Sequence, residues 1–226
     1  MGRRRVSVPQ AFAAAAQEAE VEAPRAKRIG VLGGTFDPPH VGHLWLATLA
    51  ADAIGLDRVL FMPAAQPPHK GGQLVSRATD RLLMTRLAIT GDPAFELCPI
   101  EMERPGPSYT IDSVDELERS SAGAQLYLLM AADSLNAIDT WREPDRLLER
   151  IEWVVGPRPG SELPDRSALE ERFGASASRI HLLTGPSLDV SSSQIRRRVA
   201  AGQAIRYLVP RGVEELITDR GLYRRG

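Results

Sequence analysis

The sequence of 226 residues predicts an α/β fold in which helices cover both faces of a mostly parallel sheet. Three observations predict this class. Short apolar runs of strand length alternate with longer segments in which apolar residues recur at helical spacing. Glycine and proline mark the boundaries between these segments. The runs themselves are almost continuously apolar, which is typical of parallel strands that are buried on both faces.

Six apolar runs are predicted to be strands. The first begins at Arg28 and ends in Gly33-Gly34, as expected for a buried strand followed by a tight turn. The runs are residues 29–32, 58–62, 95–98, 125–130, 151–155 and 179–183. In a doubly wound, Rossmann-like sheet, ligands bind beyond the carboxyl ends of the strands, near the point where the strand order reverses. Because the most conspicuous motifs of this chain follow strands, we expect the site at that edge.

Five segments with helical character connect or follow the strands. They are residues 43–54, 76–90, 110–119, 192–201 and 211–219, of which the last two are C-terminal helices. Gly55 is a suitable residue to end the first helix, and Ser76 is the expected N-cap of the second. Residues 156–178 are rich in Pro, Gly and Ser, which predicts a peripheral excursion.

The composition is that of a globular protein, with 43% hydrophobic and 25% charged residues. A formal net charge of −1 gives no argument for a nucleic-acid or membrane partner. No apolar run approaches the roughly 20 residues of a membrane-spanning helix. Cys98 is the only cysteine, which excludes an intramolecular disulfide and fits a cytoplasmic location. We expect a flexible polar tail over residues 1–27 and a single domain over residues 28–226.

The strongest functional signal is the segment GGTFDPPHVGH at residues 33–43. Two glycines after a strand allow the backbone to approach a ligand closely. The turn then leads into a helix, whose unpaired N–H groups favour a phosphate. His40 and His43 are three residues apart, so both imidazoles are expected near one face if the helix has begun at His40. The segment lacks both G-x-G-x-x-G and the G-K-[ST] of a P-loop.

Two other interpretations of the histidine pair remain open. The pair can be a surface or capping pair without a chemical role. A metal site is less well supported, because it needs further ligands and the chain contains no H-E-x-x-H arrangement. The other histidines are His69 and His181. We therefore predict no metal held by protein ligands.

A second signal is SSSQIR at residues 191–196. Serines at the start of a helix cap its amides and can donate to phosphate oxygens. Arg196, one turn further, has a planar guanidinium suited to a polyphosphate. Alone, this segment is also compatible with an ordinary capped helix. Together with the first motif, it predicts two helix N-termini that bind one polyphosphate.

These two motifs together resemble the nucleotidylyltransferase superfamily, and more narrowly the bacterial nicotinate-nucleotide adenylyltransferases. Further segments match that family in order over residues 28–226. They are PPHK at 67–70, RATDRLLM at 77–84, SYTIDS at 108–113, Asp133 followed eight residues later by Trp141, and VP and GLY near the C-terminus. Two positions depart from the family pattern. Ala131 replaces a usual glycine, and Arg142 replaces a frequent aromatic residue.

The resemblance implies transfer of the adenylyl group of ATP to nicotinate mononucleotide, with Mg²⁺ accompanying ATP. It predicts the following roles. The residues expected in catalysis are His40, His43 and Arg196. Those expected to contact ATP are Gly33, Gly34, Thr35, Phe36, Asp133, Ser192 and Ser193. Those expected to contact the mononucleotide are Lys70, Thr110 and Trp141.

Several alternatives remain open at this point. The acceptor could be nicotinamide mononucleotide or phosphopantetheine, or the chain could be a nucleotide-binding regulator without activity. A dinucleotide-dependent redox enzyme is disfavoured, because the G-x-G-x-x-G fingerprint is absent. Nucleic-acid binding would depend on two short arginine clusters, at 3–5 and 196–198. The oligomeric state, including a homo-oligomer, is left open.

Overall fold

A computed structural model describes residues 25–65 and 76–224. Its described residues form one six-stranded sheet, and every strand pair in it is parallel. The strand order is β3-β2-β1-β4-β5-β6. The strands are β1 (Arg28–Gly34), β2 (Arg58–Pro63), β3 (Phe95–Leu97), β4 (Gln125–Ala131), β5 (Glu152–Gly156) and β6 (Ile180–Leu182). The predicted doubly wound α/β class is confirmed.

Helices connect these strands and extend the chain beyond the sheet. They are α1 (Val41–Ile54), α2 (Ala78–Ile89), α3 (Ile100–Glu103), α4 (Thr110–Ser120), α5 (Ala132–Asn136), α6 (Pro144–Arg150), α7 (Arg166–Phe173), α8 (Ser192–Ala200) and α9 (Arg211–Asp219). The short helices α3, α5 and α6 were not predicted from the sequence. Helix α2 begins after Arg77, one residue beyond the predicted N-cap Ser76.

The sheet separates two hydrophobic clusters, one on each face. The side chains of β4 alternate between these two clusters. Leu128 and its neighbours at even positions face a cluster built with α4, α6 and α7, whereas Tyr127 and Leu129 face a cluster built with α1. Successive side chains of a strand point to opposite faces, so a strand buried on both sides must be apolar at nearly every position. The sheet therefore provides a rigid platform at whose edge the polar motifs lie.

A third cluster attaches the C-terminal helices to α2. Met84 of α2, Ile195 of α8, and Val213 and Ile217 of α9 are all buried there. The hydrophobic side of α9 thus covers α2. The chain end after α9 is consequently brought close to the β1–α1 connection, where Tyr223 reaches Asp37.

Residues 156–178, predicted to form a peripheral excursion, are mostly exposed but contain a helix that the sequence did not reveal. This segment contains α7, whose Leu169 is 1% exposed, and a following 3₁₀ helix (Gly174–Arg179) that buries Ala177 in the same core cluster. Asp165 caps α7 by accepting a hydrogen bond from the Ala168 amide at 2.8 Å. The Pro, Gly and Ser residues around α7 obscured a helix that has only one well-buried apolar position.

Most of the predicted tail, residues 1–24, lies outside the described residues. Arg25 is described, and its guanidinium lies 2.7 Å from the carboxylate of Asp57 on the surface. Within residues 25–65 and 76–224, no helix combines the length and hydropathy that crossing a membrane requires.

Candidate active site

A cavity of about 660 Å³ opens at the carboxyl edge of the sheet. Its walls include residues that follow β1, β4 and β5, and residues from the first turns of α1 and α4. Strand β1 lies between β2 and β4, so the connections on its two sides run in opposite directions along the sheet. This is the switch point at which doubly wound sheets bind their ligands.

The turn after β1 explains why its glycines are needed. Gly33, Gly34 and Thr35 line the cavity. A Cβ at Gly34 would lie 3.2 Å from the ring of Phe36, so a larger residue there would displace that ring. Phe36 has a positive φ of 48° and is 1% exposed, and it does not line the cavity. Phe36 thus supports the turn from beneath, whereas the notion of direct ATP contact at this residue stays a prediction.

His40 and His43 lie together, although His40 is the extended N-cap of α1 and the helix begins only at Val41. Their rings stack with centroids 3.8 Å apart, and both line the cavity. The backbone N–H of His40 donates to Nδ1 of His43 at 3.1 Å. Since Nδ1 accepts this bond, the neutral His43 ring carries its hydrogen on Nε2. The turn therefore fixes His43 as a donor through Nε2.

Gly42, between the two histidines, has little space around it. A Cβ there would lie 3.0 Å from Val190 and 3.1 Å from the His40 ring. The absence of a side chain thus allows the α1 N-terminus, both histidines and the segment before α8 to pack together.

His40 is held neutral by its surroundings. It is 4% exposed, and burial lowers its pKa to about 4, with a further contribution from the charge of Arg158. No described residue hydrogen-bonds its buried Nδ1. A buried polar atom without a hydrogen-bond partner is usually satisfied by water or a ligand.

The lowered pKa predicts a pH dependence of stability. Between pH 6.5 and about 4 the unfolded chain binds a proton at His40 that the folded chain does not, so the free energy of unfolding falls as the pH falls through this window. The expected loss is up to about 3 kcal/mol. Urea unfolding measures the free energy of unfolding at pH 7 and at pH 4.5. The decrease in this free energy between the two pH values should be smaller for His40→Gln than for the wild type. Equal differences in both proteins would contradict the buried neutral state.

The second motif packs directly against the first. Ser191 caps α8 by accepting a hydrogen bond from the Gln194 amide at 3.2 Å. Ser192 Oγ donates to the Pro38 carbonyl at 2.8 Å, and Arg196 donates to the Asp37 carbonyl at 2.7 Å. The peptide bond between Asp37 and Pro38 is cis.

Arg196 also donates to Ser193 Oγ at 3.1 Å. The three predicted residues Ser192, Ser193 and Arg196 lie beside the cavity and are not among the residues that line it. The structure therefore joins the two motifs, as binding of one polyphosphate requires, while contact of these residues with phosphate remains a prediction.

Asp133 follows β4 and lines the cavity, as expected of a residue that contacts a ribose. Its carboxylate lies 3.0 Å from Nε of Arg158, which also lines the cavity. Arg158 was missed in the sequence because it lies in the segment interpreted as peripheral. The signal was present nonetheless, since Arg158 comes two residues after the end of β5, at the same edge as the other motifs.

Two of the residues predicted to bind the mononucleotide, Thr110 and Trp141, also line the cavity. Trp141 packs partly against the core, with its ring 6.1 Å from that of Trp153. Arg142, the departure from the family pattern, places its guanidinium 4.8 Å from the ring centroid of Tyr109. Lys70 lies outside the described residues.

Glu101 is a second residue of the cavity wall that the sequence did not reveal. It is buried, and its Oε1 accepts a hydrogen bond from Ser113 at 2.8 Å. Burial raises the pKa of its carboxyl group above the ordinary value. Nothing in the local sequence distinguishes it from the neighbouring Glu103.

Comparison with known proteins agrees with this geometry. A family model described as cytidylyltransferase-like matches residues 31–198. A protein of Thermomicrobium roseum named "Probable nicotinate-nucleotide adenylyltransferase" is 45% identical over 197 residues, which are 87% of this chain and 92% of that protein. One of the same name from Symbiobacterium thermophilum is 44% identical over 200 residues, or 88% and 96% of the two chains.

The fold is also found among solved structures. The Plasmodium falciparum nicotinic acid mononucleotide adenylyltransferase complexed with NaAD superposes with a TM-score of 0.74 at 18% identity, covering 87% of this chain and 97% of that one. Its complex with APC gives a TM-score of 0.72 with the same coverage. The match to the family model and the identity to these relatives establish that the chain belongs to the cytidylyltransferase-like family and, within it, to the nicotinate-nucleotide adenylyltransferases.

Proposed function

We propose that the protein transfers the adenylyl group of ATP to nicotinate mononucleotide and releases pyrophosphate, forming nicotinate adenine dinucleotide for NAD biosynthesis. The observation that supports this best is a single cavity whose walls carry both sets of residues. The GGT turn, both histidines and Asp133 lie in the same cavity as Thr110 and Trp141. Two nucleotides that react with one another require such a shared space.

The chemistry requires few groups from the protein. The second pKa of a phosphate monoester is about 6, so the mononucleotide is already a nucleophilic anion near pH 7. No general base is then needed. Rate enhancement can come from alignment of the phosphate with the α-phosphorus and from donors that stabilise charge on the transferred group. The Nε2–H of His43 is the proposed donor to the α-phosphate, and its orientation is maintained by the bond from the His40 amide.

The N-terminus of α8 is proposed to stabilise the departing pyrophosphate. Ser192, Ser193 and Arg196 lie at this end of the helix, where the helix dipole and unpaired amides favour an anion. Lys70 is proposed to add a further cation on the mononucleotide side. Mg²⁺ is expected to arrive as the Mg-ATP complex, since Mg²⁺ is usually held by substrate phosphates and water.

The mononucleotide is proposed to bind between Trp141 and the start of α4. The face of a tryptophan attracts the positively charged pyridinium ring. Tyr109, the N-cap residue of α4, makes no side-chain hydrogen bond to the helix amides. The amides of Asp112 and Ser113 donate to the Tyr109 carbonyl, so the proposed donors are the amides of Thr110 and Ile111. They would bind a carboxylate, which nicotinate has and nicotinamide lacks. Because its substrates include ATP, the protein is proposed to act in the cytoplasm.

The test of this proposal is pyrophosphate release with Mg-ATP and either nicotinate or nicotinamide mononucleotide. A large preference in kcat/KM for the acid is the expected result. Equal activity with both acceptors would retain adenylyl transfer and reject selection for the acid. No release with either would reject the proposed reaction, and phosphopantetheine would be the next acceptor to measure.

Replacing Trp141 tests the assignment of the mononucleotide side. Trp141→Ala is expected to raise the KM for nicotinate mononucleotide about tenfold, because stacking of an aromatic ring on a base or pyridinium is worth roughly 1–3 kcal/mol. The KM for ATP should change little. Steady-state kinetics with each substrate varied in turn measures both constants. Trp45→Phe, on α1 in the wall of the same cavity, is a control that should spare the mononucleotide KM.

A further inference from the structure

Asp37 is a buried acidic residue in the turn that leads to the histidines, and the proposed chemistry does not use it. It is 2% exposed. Its Oδ1 accepts a hydrogen bond from the hydroxyl of Tyr223 at 2.6 Å, across 186 positions of the sequence. Its Oδ2 accepts a bond from the Ser76 amide at 3.2 Å. The side chain is thus held by two segments distant from it in sequence.

Arg81 provides the positive charge beside this carboxyl group. It is 2% exposed, and its guanidinium donates to the carbonyls of Thr35 at 2.9 Å, Ala65 at 2.8 Å and Ser76 at 3.2 Å. One buried cation therefore connects the turn after β1 with the segments that follow β2 and precede α2. Since every bond goes to a backbone carbonyl, Arg81 determines the path of the chain at these positions.

The end of the chain is held in place where it meets this network. Arg220 forms an ion pair with Asp80 of α2. Leu222 and Tyr223 pack against the cluster between α2 and the C-terminal helices. Tyr223 has a positive φ of 64°, a backbone conformation that residues other than glycine adopt only when the surrounding structure imposes it. The same residue thus has both a constrained backbone and a phenol hydroxyl that donates a hydrogen bond to Asp37.

We propose that Tyr223 is a positioning residue for the proposed adenylyl transfer, which acts through Asp37 to hold the turn that carries His40 and His43. Asp37 is fixed through its carbonyl by Arg196 and through its side chain by Tyr223 and Ser76. Loss of the phenol hydroxyl leaves a buried acceptor oxygen short of a donor, and the turn must relax to satisfy it. His40 follows three residues later, so such a relaxation moves the donors that face the reacting phosphate.

The effect is expected in the rate of reaction more than in substrate binding. Groups that stabilise a transition state must be positioned accurately, and a displacement of about 1 Å can lower a rate by 100-fold. A small relaxation of the turn in Tyr223→Phe is therefore expected to lower kcat about tenfold. The KM values for ATP and for the mononucleotide should stay within about twofold of wild type, since their binding surfaces remain.

The experiment compares Tyr223→Phe with Tyr127→Phe by steady-state kinetics and by hydrogen–deuterium exchange. Tyr127 is the control, because it is also buried and its phenol also donates to a side chain, Gln125 at 2.9 Å, and because Tyr127 does not line the cavity. The expected result is a lower kcat and faster exchange over residues 33–40 for Tyr223→Phe only. A lower melting temperature with unchanged kcat and unchanged exchange in that segment would overturn the proposal.

A double-variant cycle identifies Asp37 as the residue through which Tyr223 acts. If both residues act through one hydrogen bond, Tyr223→Phe combined with Asp37→Asn should have a kcat no lower than that of the more impaired single variant. Independent, multiplicative losses would contradict coupling through Asp37. Absence of adenylyl transfer in the wild-type protein would count against the proposed function alone, because the exchange measurement still decides whether Tyr223 holds the turn.

Discussion

The variant His43→Ala is expected to lose about 100-fold or more of kcat, with KM values for both substrates much less affected. The magnitude is that found when a preorganised donor to a developing negative charge is removed. The structure gives the reason for preorganisation. His43 accepts the His40 amide bond through Nδ1, and its ring contacts Phe36 edge-on at 5.0 Å between centroids. Its donor nitrogen is therefore fixed before substrate arrives.

Pre-steady-state or steady-state kinetics of pyrophosphate release measures this loss. His181→Ala is the matched control, because His181 does not line the cavity and its Nε2 lies at hydrogen-bond distance, 2.9 Å, from Glu152 of β5. Its substitution should leave kcat near the wild-type value. His43→Asn retains an N–H donor on a shorter side chain and should recover part of the lost rate. An unchanged kcat in His43→Ala would remove this residue from the transition state.

The variant Arg196→Ala is expected to lower kcat/KM for ATP by about 10- to 100-fold, which corresponds to the 1.5–3 kcal/mol of a hydrogen bond to a charged group. Two effects combine here. The substitution removes the proposed cation beside the pyrophosphate, and it releases the Asp37 carbonyl that the guanidinium holds at 2.7 Å.

Two further variants separate these effects. Arg197→Ala, at an exposed position of the same helix, removes the same formal charge and should change kcat/KM far less. Arg196→Lys retains the charge but lacks the planar guanidinium, which donates both to the Asp37 carbonyl and to Ser193 Oγ. If the lysine variant matches the wild type, charge alone accounts for the role of Arg196, and the geometry of the guanidinium has no part in it.

The strand positions and the main motif could be predicted because the physical signals were local. A strand buried on both faces must be apolar along its length, so β4 was visible as the run LYLLM. The histidine pair was predicted to share one face if the helix began at His40. The helix begins at Val41 with His40 as its extended N-cap, and the two rings stack nonetheless. The joining of the two motifs was expected only from chemistry, and its actual bonds, from Ser192 and Arg196, depend on tertiary packing.

What could not be predicted depends on contacts between distant segments. Arg158 lies in a segment whose composition indicates a loop, and only the pairing of β5 with β4 brings it to Asp133. Glu101 accepts a hydrogen bond from Ser113, 12 positions later in the sequence, and no local pattern predicts this contact. The burial of the Phe36 ring in a core cluster could not be predicted either, whereas the predicted approach of its backbone to ATP stays a prediction.

The link between Asp37 and Tyr223 also has a consequence for the order in which the protein matures during synthesis. Chains are made from the N-terminus, and the sheet strands and α1 precede the last helices. Asp37 emerges early but receives its partner only when the residue 186 positions later has been added. Contacts of such long sequence separation form late, because their loop-closure entropy must be overcome first. A nascent chain can therefore hold a nearly complete sheet while the turn before α1 still lacks this hydrogen bond, so the proposed positioning by Tyr223 would be added last.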